Sequence, residues 1–502
     1  MIKSVLQLLE ISTLKYPNKI AFADSSREAT YQEFLQNSKK IGSSLANLQQ
    51  TNQPIAIYID KNVKCLEAMM GTLYSGNFYT ILDTASPKER LNHIIETLKP
   101  IAIITDQKNL EKAKQLGSST QTIYIYEELI EEEINENLLK EINQKMIDTD
   151  PMYILFTSGS TGVPKGTVIS HKSVLAYINW VKEAFDINEN TVFGSQTPFY
   201  FSMSVTDVFT TILTGATFYI IPKMYFSFPV KLLEFLNEKK INTIYWVPSA
   251  LSIVANLKAL DEVQLPYLQK VLFAGEVMPT KQLNIWIEHL PNVLFANLYG
   301  PTETTDICTY YVVDRKFENS ESLPIGKHCD NCNVMIINEE GKLAKQGEEG
   351  ELCVRGSFLA QGYYHNPAQT QKVFVQNPLN QAYPEIIYKT GDIVKENERG
   401  EIIYLSRKDF QIKHMGYRIE LGEIETAINA IEGIVLCACV YDTVNSKIVL
   451  FYQGNKLDKK ELLEQAKQRL PNYMCPNEII CLDKMPYNAN GKIDRKKLKE
   501  MI

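Results

Sequence analysis
The stretch from Tyr153 to His171, "YILFTSGSTGVPKGTVISH", concentrates residue types suited to holding phosphate. An apolar run, Tyr153 to Phe156, feeds Thr157, Ser158, Gly159, Ser160, Thr161 and Gly162, with Lys165 three residues on. Glycines let a backbone turn through positive φ and bring N–H groups close to a ligand, and the hydroxyls add donors. Such a loop suits a polyphosphate. It is not a Walker A loop, because that motif needs Gly-Lys-Ser/Thr and the order here is Lys165-Gly166-Thr167. On Gly, Ser and Thr content alone, a flexible surface loop is the other reading. Two further stretches carry chemistry. "FYFSMSVTD", Phe199 to Asp207, sets Ser202 and Ser204 into an apolar run. "HCDNC" gives Cys329 and Cys332 metal-ligand spacing beside His328, but a structural zinc site wants a second close pair and none is evident.

These residues need a scaffold. At 502 residues the chain exceeds one simple core, so two to four domains are expected. Short β-rich runs such as "PIAIYID", "IAIITD", "MYILFTSG", "ATFYIIP", "NTIYWVP", "KVLFAGE" and "VLFANLYG" alternate with helical patterns, which predicts α/β layers with buried strands. Near Leu405 the texture changes to tightly mixed charge and apolar residues, followed by a small α+β unit. Its clearest helix, "DKKELLEQAKQRL", opens with Asp458 and Glu461 at capping-box spacing. The boundary is placed at Ser406 to Asp409, giving a large domain over 1–406 and a small one over 407–502.

The net charge of −7 argues against a nucleic-acid partner. The start, "MIKSVLQLLEISTLKYPN", lacks the uninterrupted apolar core of a signal peptide, and no run approaches the roughly 20 apolar residues of a membrane helix. The nine scattered cysteines fit a reducing compartment, so a cytoplasmic protein is expected.

The loop string resembles the phosphate-binding signature of the adenylate-forming superfamily, which includes acyl-CoA synthetases, luciferases and the adenylation domains of non-ribosomal peptide synthetases. Similar segments follow in the family's order over nearly the whole length: "ATYQEF", "SGNFYTILDTASPKERL", "NLYGPTETT", "GELCVRG", "YKTGDIV", "SRKDFQIKHMGYRIELGEIE" and "PYNANGKIDRKKL". The resemblance implies a large ATP- and acyl-binding domain, and a small mobile domain pivoting near Asp409. It also implies ATP and Mg²⁺, with Glu303 holding the metal. Tyr299 would stack on adenine, Asn297 would meet its edge, and Gly275, Glu276 and Gly300 would line the nucleotide. Asp392 would grip the ribose, Arg407 the ribose or phosphates, and Thr302 would lie near the α-phosphate. Lys492, with Lys165 and the loop donors, would neutralise charge as a carboxylate attacks the α-phosphate. Gly416 would flank a pantetheine arm. No carrier segment follows Lys492, so a separate carrier protein, or less favourably CoA, is the expected thiol acceptor, and a monomer is expected.

Within the superfamily "KDFQIKHMGYRIELGEIE" and "GEVMP" look closest to amino-acid-activating domains and the D-alanine:carrier-protein ligase. Aligned on Phe201 and Ser204, Ser202 stands where those relatives carry an aspartate for the α-ammonium group. The inferred pocket adds Met203, Thr206, Tyr245, Leu272, Ala274, Leu298, Asp306 and Ile307, with Asp207 one helical step away, outside it. Serine does not replace an acid in a buried site. A substrate without an ordinary α-amino group is therefore expected: an aryl, hydroxy or keto acid, or a β- or ω-amino acid. Asp306 is either an exposed acid or a carboxylate that meets an amine or hydroxyl farther from the reacting end. The alternatives are an α-amino acid ligase of D-alanine type and a silent nucleotide-binding protein.

Overall fold
The computed structural model describes residues 2–116, 122–159, 163–487 and 493–502. Among them, seven strands hydrogen-bond in the order Gly362–Tyr363, Lys165–Ser170, Pro151–Thr157, Phe78–Ile81, Pro54–Tyr58, Ala102–Thr105, Thr122–Ile125. A nine-stranded sheet carries Leu294–Tyr299, Lys270–Phe273, Thr243–Trp246, Val192–Ser195 and Thr217–Ile220 at its centre, all mutually parallel. These are the apolar runs of the sequence, and their residues are almost all buried because helices cover both faces of a parallel sheet. A third, antiparallel sheet is built on Gly350–Gly356 and the long strand Ile386–Glu396, and Ile402–Arg407 pairs along the latter with Asp392 opposite Arg407.

One apolar core runs from Val5 to Ile402, and a separate one from Ile419 to Ile479. The second belongs to a small α+β unit. It consists of the hairpin Gln411–His414 and Tyr417–Glu420, a three-stranded sheet, and the helices Leu421–Asn429 and Lys459–Lys467. Asp458 caps the latter helix, accepting from the amides of Lys460 and Glu461. The α/β class and the large-plus-small architecture agree with the sequence reading. No helix among the described residues is long and apolar enough to cross a membrane.

Candidate active site
Strands Pro151–Thr157 and Lys165–Ser170 are antiparallel with Thr157 opposite Lys165, so the two ends of the segment between them are brought together. A side chain on Gly159 would run into the carbonyl of Val163. The Thr157 hydroxyl is buried with no hydrogen-bond partner among the described residues, an orphan donor suited to a bound phosphate oxygen. Ser158 is instead engaged: its hydroxyl donates to the carbonyl of Arg418 (2.7 Å) and accepts from the amide of Glu420 (3.0 Å). Ser160, Thr161, Gly162 and Lys492 lie outside the described residues.

Glu303 sits in the turn Thr302–Thr304 that ends strand Leu294–Tyr299, and it is fully buried. Tyr363 donates to its Oε1 (2.5 Å), Arg418 to its Oε2 (2.6 Å), and the Lys165 ammonium stands 3.9 Å from Oε1. Burial alone would raise this carboxyl, but Arg418 and Lys165 outweigh it and hold it at about 2. Burial, aided by Arg418, lowers Lys165 to about 8. Glu303 is therefore a permanent anion whose chemistry suits a divalent cation, although here both oxygens are occupied and Arg418 would have to withdraw first.

Beside it, Asn297 donates to the carbonyl of Pro324 (2.7 Å), and Asp392 receives Tyr299 on one oxygen and Arg407 (2.9 Å) on the other. Arg407 also forks onto Asp409, at 2.6 and 2.8 Å. Lys413, pushed down by burial, lies 4.9 Å over the Tyr299 ring, on the aromatic surface expected to meet adenine. Gly300 packs against the carbonyl of Asp306, and Glu276 accepts from the amide of Ser249 (2.9 Å).

The acyl pocket follows from strand periodicity. Tyr245 and Leu272 are register neighbours, as are Leu272 and Ala296, so Ala274 and Leu298, two residues on, return to the same face. Helix Ser204–Thr214 adds Thr206, while Met203 and Ile307 close the apolar wall, all buried. Asp306 is not an exposed acid. It is 1% exposed, and the hydroxyls of Thr206 (2.7 Å), Tyr177 (2.9 Å) and Tyr245 (3.0 Å) lie within hydrogen-bond distance of its Oδ2. Burial pushes its carboxyl up to about 6 despite these bonds. The Thr302 hydroxyl faces Ser202 at 3.5 Å. Asp207 lies outside this cluster, as expected, yet it is fully buried: with Lys61 it flanks the Ser195 hydroxyl, burial raising the acid and lowering the amine.

The small unit meets this site through its hairpin. His414 and Tyr417 pair across a two-residue turn in which Met415 (φ 52°) and Gly416 (φ 80°) are both left-handed. A Cβ on Gly416 would lie 2.5 Å from Val247 Cγ1, and one on Gly275 (φ 92°) would lie 3.9 Å from the Gly416 Cα. Tyr417 sets its ring 4.7 Å from Phe201 and stacks on Tyr473 at 3.5 Å, and Arg90 pairs with Glu423 across the junction. Sequence reasoning did not find Tyr177, Tyr363, Lys413 or Arg418. Cys329 is tied to Cys308 through its backbone, and burial raises both thiols; among the described residues no cluster of His, Cys, Asp or Glu is arranged to hold a metal.

The profile described as "AMP-binding enzyme" matches residues 9–364, and "AMP-binding enzyme C-terminal domain" matches 423–492. The D-alanine–D-alanyl carrier protein ligase of Lacticaseibacillus casei is 30% identical over 512 residues, covering 99% of both chains. Tyrocidine synthase 1 of Brevibacillus parabrevis is 31% identical over 99% of this chain, which spans only 45% of that protein's length. The crystal structure of the Vibrio cholerae adenylation domain AlmE, in complex with glycyl-adenosine-5'-phosphate, superposes with a TM-score of 0.84. It is 24% identical and covers 100% of this chain and 98% of its own. The family match spans most of the length and a relative covered over 99% of both chains is 30% identical, so this chain belongs to the AMP-binding enzymes, the adenylate-forming ligases that join acids to thiols.

Proposed function
We propose that the protein activates a small carboxylic acid as its acyl-adenylate and passes the acyl group to the phosphopantetheine thiol of a separate carrier protein, with CoA the less favoured acceptor. The carrying observation is the buried Glu303 with Lys165 and Thr302 beside a set of buried apolar side chains and the strand end that holds the orphan Thr157 hydroxyl. In the first half-reaction a carboxylate oxygen attacks the α-phosphorus of ATP, and the bond from that phosphorus to the α,β-bridging oxygen breaks to release pyrophosphate. Mg²⁺ on Glu303 supplies charge neutralisation when bound. Lys165, the loop donors and Lys492 counter the remaining anionic charge, Asp392 and Arg407 hold the ribose, and Tyr299 and Asn297 the base. In the second, the thiol loses its proton to water, attacks the acyl carbon and displaces AMP.

The two halves need different neighbours at Glu303, which supports a mobile domain over 407–502 pivoting near Asp409. The hairpin contact of Gly416 with Val247 and Gly275 leaves backbone rather than side chains beside a narrow thiol path. On this reading Arg418 fills the cation position at Glu303 during transfer and vacates it during adenylation. The substrate lacks an α-amino group facing Ser202, and the working enzyme is a cytoplasmic monomer.

Pyrophosphate exchange across aryl, hydroxy, keto, β-amino, ω-amino, and L- and D-α-amino acids tests the reading. Strong exchange with one class other than α-amino acids supports it. Preference for an α-amino acid overturns the reading of Ser202, and no exchange with any acid overturns the enzymatic one.

A further inference from the structure
We infer that the acid activated here carries an ammonium group on its β- or γ-carbon, received by Asp306, and that Tyr177 is the positioning residue that turns Asp306 to receive it. The inference rests on the proposed acid activation and narrows it to one substrate class.

Three hydroxyls converge on a single oxygen of Asp306. Tyr177 comes from helix His171–Ala184, Thr206 from helix Ser204–Thr214 and Tyr245 from strand Thr243–Trp246, and all three hydroxyls lie within hydrogen-bond distance of Oδ2. An ionised carboxyl has roughly four acceptor sites, two on each oxygen. Two donors fill Oδ2, which fixes the carboxyl plane, and Oδ1 is left free of all three hydroxyls. The Tyr177 and Thr206 oxygens also lie 2.6 Å apart, so one of these hydroxyls donates to the other, which in turn donates to Oδ2, and the pair is held as a relay.

The environment offers this acid no counterion. Among the described residues the side chains that bond to it are hydroxyls, from Thr206, Tyr177, Tyr245 and Ser202, and no lysine, arginine or histidine stands at ion-pair distance from it. A buried carboxylate held by neutral donors alone is costly, whereas an incoming cation is paired at once. The rest of the pocket, Met203, Leu272, Ala274, Leu298 and Ile307, is apolar, so a charged substrate group has one place to go. An aryl, keto or simple aliphatic acid leaves that charge unmatched.

Chain length follows from the order of the contacts. Thr302, at the reacting end, faces Ser202 at 3.5 Å, and Ser202 in turn acts on the Asp306 carboxyl. The acid is therefore one hydrogen-bond spacing deeper than the position of Ser202. That spacing is about 2.7 Å, against about 1.5 Å for one carbon–carbon bond, so the amine moves one to two carbons outward from the α-position.

The test uses four-carbon acids matched in size: 2-aminobutyrate, 3-aminobutyrate, 4-aminobutyrate, 3-hydroxybutyrate and butyrate, each in pyrophosphate exchange with the full chain. The expected kcat/KM for 3- or 4-aminobutyrate exceeds that of 2-aminobutyrate, 3-hydroxybutyrate and butyrate by about 100-fold, the scale of discrimination when a buried polar group is left unpaired. Exchange that favours butyrate, 3-hydroxybutyrate or 2-aminobutyrate overturns the inference while acid activation stands. Exchange with none of them, nor with any aryl or longer acid, overturns both. Asp306→Asn should lower the aminobutyrate signal about 100-fold and raise that of butyrate, reversing the preference. Tyr177→Phe should raise KM for the amino acid about 10-fold with a smaller change in kcat. Parallel loss on all acids in either variant, with the thermal midpoint retained, overturns the assignment. If either variant fails to fold, the wild-type acid series alone decides.

Discussion

Replacing Arg418 by methionine separates the two half-reactions. Arg418 is a largely buried cation whose guanidinium donates to Glu303 Oε2 at 2.6 Å. Methionine fills similar volume without charge. It leaves Glu303 buried with the Tyr363 hydroxyl and an ammonium 3.9 Å away. Breaking a buried pair costs about 3–5 kcal/mol, and Lys165 recovers part of that, so a net cost of about 2–3 kcal/mol falls on this arrangement of the two units. At about 1.4 kcal/mol per tenfold, the arrangement is depopulated about 30- to 150-fold. Adenylation, in which Glu303 is released from Arg418, escapes this cost. The assay pairs pyrophosphate exchange with single-turnover transfer from a preformed acyl-adenylate to a phosphopantetheine thiol. Transfer should fall by that factor and exchange by less than about 3-fold. Arg418→Lys, which keeps the charge on a shorter, single-point donor, should fall between. Equal loss in both assays, or loss of exchange with transfer intact, would refute the reasoning.

Other outcomes follow from the same geometry. Gly416→Val adds a side chain at φ 80° and drives Cβ to 2.5 Å from Val247, so transfer should collapse while exchange survives, and Val247→Ala should restore part of it. Lys492→Ala should abolish exchange yet leave transfer from a preformed adenylate largely intact; loss of both argues against a mobile domain. Asp306 titrates near 6 in the fold against 3.8 as the ordinary value, because burial outweighs its hydroxyl bonds. The folded state thus holds the proton more tightly, and the ligand-free protein loses stability as pH rises from about 4 to about 6, by on the order of 3 kcal/mol. Asp306→Asn should therefore melt higher than the parent at pH 7 to 8, the gap closing towards pH 4. A gap independent of pH would contradict a buried, unpaired carboxylate.

The strands were legible because parallel strands buried on both faces are written as short apolar runs between turn residues. "NTIYWVP" and "KVLFAGE" became neighbours in register. The hydrogen-bond partners were not legible. Tyr177 reaches Asp306 across 129 residues, Arg418 reaches Glu303 across 115, and Tyr363 reaches it across 60. No local period announces such contacts, which arise where three sheets and the hairpin meet. Asp306 shows the same limit: its loop composition suits an exposed acid, and the hydroxyls that hold it inside come from Tyr177, Thr206 and Tyr245, 61 to 129 residues away. Arg418 stood inside the hinge segment, in view but with no local reason to distinguish it from Lys413 or Arg407.

The buried pair beneath the pocket bears on how this enzyme can be altered. Asp207 and Lys61 meet at the Ser195 hydroxyl, and Asp207 is the immediate chain neighbour of Thr206. Helix Ser204–Thr214 is thereby pinned on the flank next to the face that carries Thr206. Randomised libraries for new acids should vary Ser202, Met203, Thr206 and Asp306 together and hold Lys61, Ser195 and Asp207 constant. With that anchor kept, a changed side chain alters the wall it faces; with it released, every position on the helix shifts at once, and selectivity gives way to loss of folded enzyme.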